Sequence, residues 1–183
     1  MKIIVAITGA SGAIYARQTL ELLIAHDEVE KIGLILSAHA EDVMRAEGVT
    51  LPHCERIERY ALNDMWASPA SGSARWDAMV VVPASMGTVG RIASGISSTL
   101  LERAADVMLK ERRRLVMVVR ESPYSLIHLR NLTTLTEAGA IILPASPGFY
   151  FRPRSIEELC LQVSQRAVEM CGIAIEHPEW GER

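Results

Sequence analysis

The residues able to do chemistry in this chain begin with two loops that pair glycine with hydroxyls. Thr8-Gly9-Ala10-Ser11-Gly12-Ala13 closes an apolar run and opens a segment with helical spacing. Backbone N–H groups and the dipole at a helix start favour an anion, so a phosphate-bearing ligand is expected there. A dinucleotide fingerprint would put glycine where Ser11 stands and an acidic residue after the second strand to hold ribose. That strand ends instead in Ser37. A hydroxyl donates to phosphate while a carboxylate repels it, so a mononucleotide fits better than a dinucleotide. The rival reading makes Ser11 a plain helix cap with no ligand. The second loop, Pro83-Ala84-Ser85-Met86-Gly87-Thr88, sets Ser85 and Thr88 in the first turn of another helix, as a second anion site or as a simple cap.

Charged residues follow. Arg103 and Lys110 lie two turns apart on one helical face and can both approach an anion. Arg112, Arg113 and Arg114 read as a solvated helix end that complements the dipole. Arg120 and Glu121 close a buried strand, either as site residues or as a structural ion pair. Phe149, Tyr150 and Phe151 are consecutive in a chain that is only 5% aromatic. They can wall a flavin or an apolar tail, with the Tyr150 hydroxyl as a polar contact, although core packing explains Phe149 and Phe151 equally well. Spacing alone leaves Arg166 on a solvated helix face and His128 as a structural histidine.

These residues need a scaffold, and the apolar pattern supplies one. Runs at 3–7, 32–36, 78–82 and 115–119, with a shorter one at 140–143, are continuous and rich in Val and Ile, as parallel strands covered on both faces are. Segments 13–25, 38–47, 88–110, 126–138 and 155–171 carry helical spacing between and after them. Strand and helix alternate, which predicts a doubly wound α/β fold, Rossmann-like or flavodoxin-like, with a parallel sheet in a three-layer α/β/α arrangement. Residues 1–183 form one expected domain, and ligands are expected beyond the carboxyl ends of its strands. Residues 63–75 make the one long irregular stretch, a binding loop or a mobile connection.

Composition narrows the class. A net charge of −3 and a pI near 6.0 give no overall attraction to nucleic acid or an anionic membrane. The N-terminal apolar stretch is too short for a signal sequence or a membrane span, which points to a cytoplasmic location. Cys54, Cys160 and Cys171 match no disulfide or zinc spacing and are expected to be inert thiols.

Taken together, several motifs resemble one family. Thr8-Gly9-Ala10-Ser11-Gly12-Ala13, Pro83-Ala84-Ser85-Met86-Gly87-Thr88, the segment from Glu102 to Arg113, Arg120-Glu121-Ser122-Pro123, Ile127-His128-Leu129 and Pro147-Gly148-Phe149-Tyr150-Phe151-Arg152-Pro153 are similar to the UbiX flavin prenyltransferases, in order and over nearly the whole chain. The resemblance implies transfer of a dimethylallyl group from dimethylallyl monophosphate to N5 and C6 of reduced FMN. The prenylated FMN would serve a UbiD-type decarboxylase. It also implies FMN contacts from Gly9, Ala10, Ser11, Ser37, Ser85, Met86, Gly87, Thr88 and Arg120, and prenyl-phosphate contacts from Lys110, Tyr150 and Arg166 with Arg103 and Glu47 nearby. Glu121 becomes a proton-handling residue and Ser11 its helper. A homo-oligomer is implied too, commonly a dodecamer with sites shared between subunits.

The sequence departs from the family where Ala38 replaces a common lysine, and Trp66 is offset from the usual loop tryptophan. Trp180-Gly181-Glu182 resembles a tail that covers the site. No Asp-rich magnesium motif occurs, so a metal-independent reaction is expected. The related flavin-dependent cysteine decarboxylases carry Ala-Asn where this chain has Met86-Gly87, and they carry a second substrate motif that this chain lacks.

Overall fold

Successive residues of the first apolar run enter different cores. In the computed structural model, which describes residues 1–176, β1 (Lys2–Ile7) sends Ile3, Val5 and Ile7 into one cluster and Ile4 and Ala6 into another. A strand buries both sets only when both faces are covered, which explains a continuous rather than alternating run. The other strands are β2 (Lys31–Leu36), β3 (Ile57–Tyr60), β4 (Ala78–Ala84), β5 (Arg114–Val119) and β6 (Ile141–Pro144). They form one parallel sheet in the order β3-β2-β1-β4-β5-β6.

Helices cover both faces, which gives the expected doubly wound three-layer fold. On one side α1 (Ala13–Ala25) packs against α6 (Ile156–Met170), with the short α2 (Ala40–Ala46) beside them. On the other lie α3 (Met86–Ala93), α4 (Leu100–Lys110) and α5 (Leu126–Glu137). Leu20 and Leu23 of α1 are wholly buried, and each such side chain contributes about 1.5–3 kcal/mol relative to exposure. The first turn of α1 is thereby fixed where β1 ends. The strand order reverses between β1 and β4, so the loops after them diverge and leave a crevice at the carboxyl edge.

Three local expectations need correction. The strand β3 was not foreseen: its middle residues, Glu58 and Arg59, are exposed on the sheet's edge, so it carries no apolar run. The expected helix over 88–110 is two helices, parted at residues 94–99 by Gly95 at φ +70° and restarted by a capping box between Thr99 and Glu102. Residues 63–75 hold two short 3-10 turns, Ser68–Ala70 and Gly72–Ala74. Trp180 and its neighbours lie outside the described residues. Among the described residues no helix is long and apolar enough to cross a membrane.

Candidate functional site

Two ends of neighbouring strands are tied together at the crevice. The buried Thr8 hydroxyl donates to the Pro83 carbonyl at 2.6 Å and accepts the Ser85 amide at 2.9 Å, which fixes the loop after β1 against the loop after β4. Beside this tie lies a cavity of about 520 Å³, lined among others by Gly9, Ser37, Ala38, Ser85, Thr88 and Arg91. That volume falls within the roughly 300–1,000 Å³ of small-molecule sites. Gly9 is favoured by close approach, because a Cβ there would stand 3.0 Å from the His39 Cβ and push it back.

Ser85 caps α3 as expected, accepting the Thr88 amide at 3.4 Å, and its hydroxyl also lies 3.1 Å from the Thr88 hydroxyl. Both hydroxyls line the cavity, so capping and ligand binding are compatible here. Met86 packs its side chain into a core and Ala10 is buried, so both offer a ligand mainly backbone, while Gly87 is exposed. The donors present are hydroxyls, a helix start and a guanidinium, a set that fits the phosphate of a mononucleotide.

The first loop behaves differently from its expected role. Glu47, just past α2, accepts the Gly12 amide at 2.9 Å and the Ala13 amide at 2.7 Å. The anion at the start of α1 is therefore a side chain of the chain itself. Gly12, at φ +106°, supplies the left-handed turn that aims these amides at Glu47. Burial alone would raise the Glu47 carboxyl. Hydrogen bonds from the Ser11 hydroxyl and the two amides, with the Arg120 charge, outweigh it and hold the carboxyl below its ordinary value.

Arg120 joins the same cluster by donating from Nε to the Ser11 carbonyl at 3.1 Å. Glu121 accepts the Ser122 amide at 2.9 Å. Arg120 and Glu121 make no ion pair with each other among the described residues, which removes the structural-pair reading. Ser11, Glu47 and Arg120 thus converge at the carboxyl edge, with Glu121 next in the chain.

A second cavity of about 710 Å³ opens at the end of β6, and Tyr150, Phe151, Pro147 and Arg166 are in its lining. Phe149 and Tyr150 are each 72% exposed in the single chain, so core packing does not explain this aromatic run. Arg166 pairs with Glu169 at 3.0 Å on α6. Spacing places Arg166 on a solvated helix face, and its side chain is 58% exposed while lining the same cavity as Tyr150.

Arg103 and Lys110 stand apart from both cavities. Arg103 donates to the Ala70 carbonyl at 3.1 Å and pairs with Asp106 at 2.6 Å, while Lys110 pairs with Glu111. Within one chain they do not form the joint anion site that their spacing suggested. Lys110 precedes the amino end of β5, whereas Arg120 follows its carboxyl end, and six strand residues span about 20 Å. His128 accepts the Ser125 amide on Nδ1 at 3.2 Å, a helix-capping role in keeping with the structural reading. Cys160 and Cys171 are buried, and burial pushes the Cys171 thiol up to about 12.

Sequence reasoning missed Arg91 and gave Glu102 only as part of a motif. A signal was available in the spacing: Arg91 follows Thr88 by three residues and so shares its helix face.

The comparisons agree with this geometry. A family model described as Flavoprotein matches residues 1–168. The chain is 42% identical, over its whole length and 95% of the relative, to the flavin prenyltransferase UbiX of Pseudomonas aeruginosa. Among solved structures, AnUbiX (PadA1) in complex with FMN and dimethylallyl pyrophosphate superposes with a TM-score of 0.88 at 40% identity, covering 98% of each chain. The dodecameric FMN-dependent UbiX-like decarboxylase of Escherichia coli O157:H7 gives a TM-score of 0.88 at 36% identity, covering 100% of this chain and 98% of that one. The sheet order defines a doubly wound nucleotide-binding type of fold, and the family match places the chain in the class of flavoproteins. The chain belongs, within that class, to the UbiX flavin prenyltransferase family.

Proposed function

We propose that this prenyltransferase moves the dimethylallyl group of dimethylallyl monophosphate onto N5 and then C6 of reduced FMN, in the cytoplasm and without a metal. The observation that carries the reading is the pairing of two cavities on one sheet edge. One has a helix start, hydroxyls and a cation, and the other has an aromatic wall beside Arg166. The first suits the FMN phosphate, and the FMN as a whole is assigned contacts from Gly9, Ala10, Ser11, Ser37, Ser85, Met86, Gly87, Thr88 and Arg120. The second suits an apolar tail that ends in phosphate.

Reduced FMN supplies the electron-rich N5 and C6 that form the new bonds. The residues must do the rest. As the allylic carbon–oxygen bond breaks, its electron pair leaves with phosphate, and Tyr150, Arg166, Arg103 and Lys110 are assigned to stabilise that departing charge. Aromatic rings exclude water and attract the developing allyl cation. Glu121 is assigned to accept the proton that N5 releases as its bond forms and to return a proton to the prenyl double bond. That return makes the tertiary carbon electrophilic for C6, before C6 loses its own proton. Ser11 is assigned to assist, with Glu47 fixing the Ser11 loop.

Because Arg103 and Lys110 lie apart from the Tyr150 cavity within a single chain, we assign them to the site of a neighbouring copy in a homo-oligomer, a dodecamer like the Escherichia coli relative. The product is assigned to a UbiD-type decarboxylase. The decisive experiment incubates the protein anaerobically with reduced FMN and either the monophosphate or the diphosphate, followed by mass spectrometry of the flavin. A flavin heavier by one dimethylallyl group from the monophosphate supports the reading. Formation from the diphosphate alone, or from neither, refutes it.

A further inference from the structure

We propose that Arg91 is a phosphate-gripping residue of the FMN site, held in place by Glu102, and that this pair lets the protein select FMN over unphosphorylated riboflavin. The inference rests on the FMN reading above and adds residues to it. Side chains on a helix lean toward its amino end, so a residue one turn after Thr88 returns over the first turn of α3. Arg91 does so: its Nη2 lies 3.4 Å from the Thr88 hydroxyl, and its Nη1 lies 3.5 Å from where a Cβ on Gly87 would stand. The guanidinium therefore covers the same amides and hydroxyls that make the helix start attractive to an anion.

Glu102 explains why the guanidinium stays there. It is only 2% exposed, and its Oε1 accepts from Arg91 Nε. Its Oε2 is occupied by the Ser98 amide at 2.9 Å, the Ser98 hydroxyl at 2.6 Å and the Thr99 amide at 3.0 Å. Burial would raise this carboxyl, but the Ser98 hydroxyl, Arg91 and the Thr99 amide outweigh it and keep it below its ordinary value. The carboxylate so uses the Nε edge of Arg91 and leaves Nη1 without a hydrogen-bond partner among the described residues. Arg91 remains 47% exposed on its side chain.

The donors in the cavity lining point the same way. A phosphate monoester carries about −1.5 to −2 at neutral pH. Among the described residues Arg91 is the one lysine or arginine lining this cavity, and the Glu102 carboxylate in the same lining has both oxygens occupied by Arg91, Ser98 and Thr99. A purely structural pair joining α3 to α4 needs only the Nε contact. Two further N–H donors turned over a helix start match the bidentate geometry by which arginine holds phosphate.

The test measures FMN and riboflavin binding by equilibrium fluorescence titration, independently of turnover. Wild type should bind FMN more tightly than riboflavin. Arg91→Ala should weaken FMN about 10- to 100-fold, the usual effect of losing a charged contact, with riboflavin unchanged. Arg91→Lys should recover part of the loss, because it keeps the charge without the fork. Arg91→Ala leaves a buried carboxylate unpaired, so the double variant Arg91→Ala/Glu102→Gln is measured beside it and should show the same selective loss in a stably folded chain. Equal weakening of both ligands, or unchanged FMN binding in the folded double variant, overturns the proposal and leaves Arg91 a structural residue. Wild type that binds no FMN overturns the functional reading itself, a result distinct from the other two.

Discussion

The carboxylate of Glu47 and the amide of Ala13 meet at 2.7 Å, so the positive end of α1 is neutralised from within the chain. This contact occupies the amides at the start of α1, so the start of α3 is where we propose that the phosphate binds. It also makes Glu47 a brace for the Ser11 loop, from which Arg120 takes its contact.

That brace has a measurable stability. Glu47→Ala removes the acceptor of two helix-start amides and should cost about 0.5–2 kcal/mol, nearer the lower end because Glu47 is exposed. The sign with pH follows from its depressed carboxyl: the stabilisation is complete above about 4.5 and is lost as pH falls through the lower folded value. Urea unfolding of wild type and Glu47→Gln at neutral and acidic pH checks this. The difference between them should be largest at neutral pH and shrink in acid.

Proton handling and phosphate handling should separate by mutation. Glu121→Gln should keep FMN binding and slow turnover. Arg166→Ala should mainly weaken use of the prenyl phosphate, by about 10- to 100-fold in kcat/KM. Steady-state kinetics with both substrates varied distinguishes these outcomes, and unchanged kinetics in both variants would contradict the assignments.

Sharing of the site between copies predicts complementation. Lys110→Ala and Arg166→Ala chains should each be poorly active alone. Co-assembled, they should regain activity, because some sites then receive Lys110 and Arg166 intact from different copies. No recovery in a verified mixed oligomer would place both residues in one chain's site.

The reaction should proceed in excess EDTA. Arginine and lysine can neutralise one phosphate directly and tyrosine can donate to it, and the sequence carries no Asp-rich magnesium motif. Loss of prenyl-FMN formation with EDTA, rescued by magnesium, would require a different chemistry.

The sequence made the central sheet readable because β1, β2, β4 and β5 are covered on both faces, which leaves unbroken Val and Ile runs. It hid β3, where Glu58 and Arg59 face solvent at the edge. Ser85 and Thr88 were readable as a helix start because capping is a local signal. Arg91 and Glu102 were not, since their meeting depends on the chain turning at Gly95. Tyr150 was readable as a wall or polar contact with core packing as an equal rival, and Arg166 was assigned chemistry only through family resemblance, because the exposure of an aromatic run and the contents of a cavity are tertiary properties.

Thr8 carries one further consequence. Its hydroxyl holds the loop after β1 and the loop after β4 in one fixed relation before any ligand arrives. Such a cradle gives up little conformational freedom when the flavin docks, so less of the contact energy is offset by ordering. Thr8→Val, close in shape but lacking the bridge, should leave the fold intact and slow flavin association more than it speeds release, since the two loops must then find each other during each encounter.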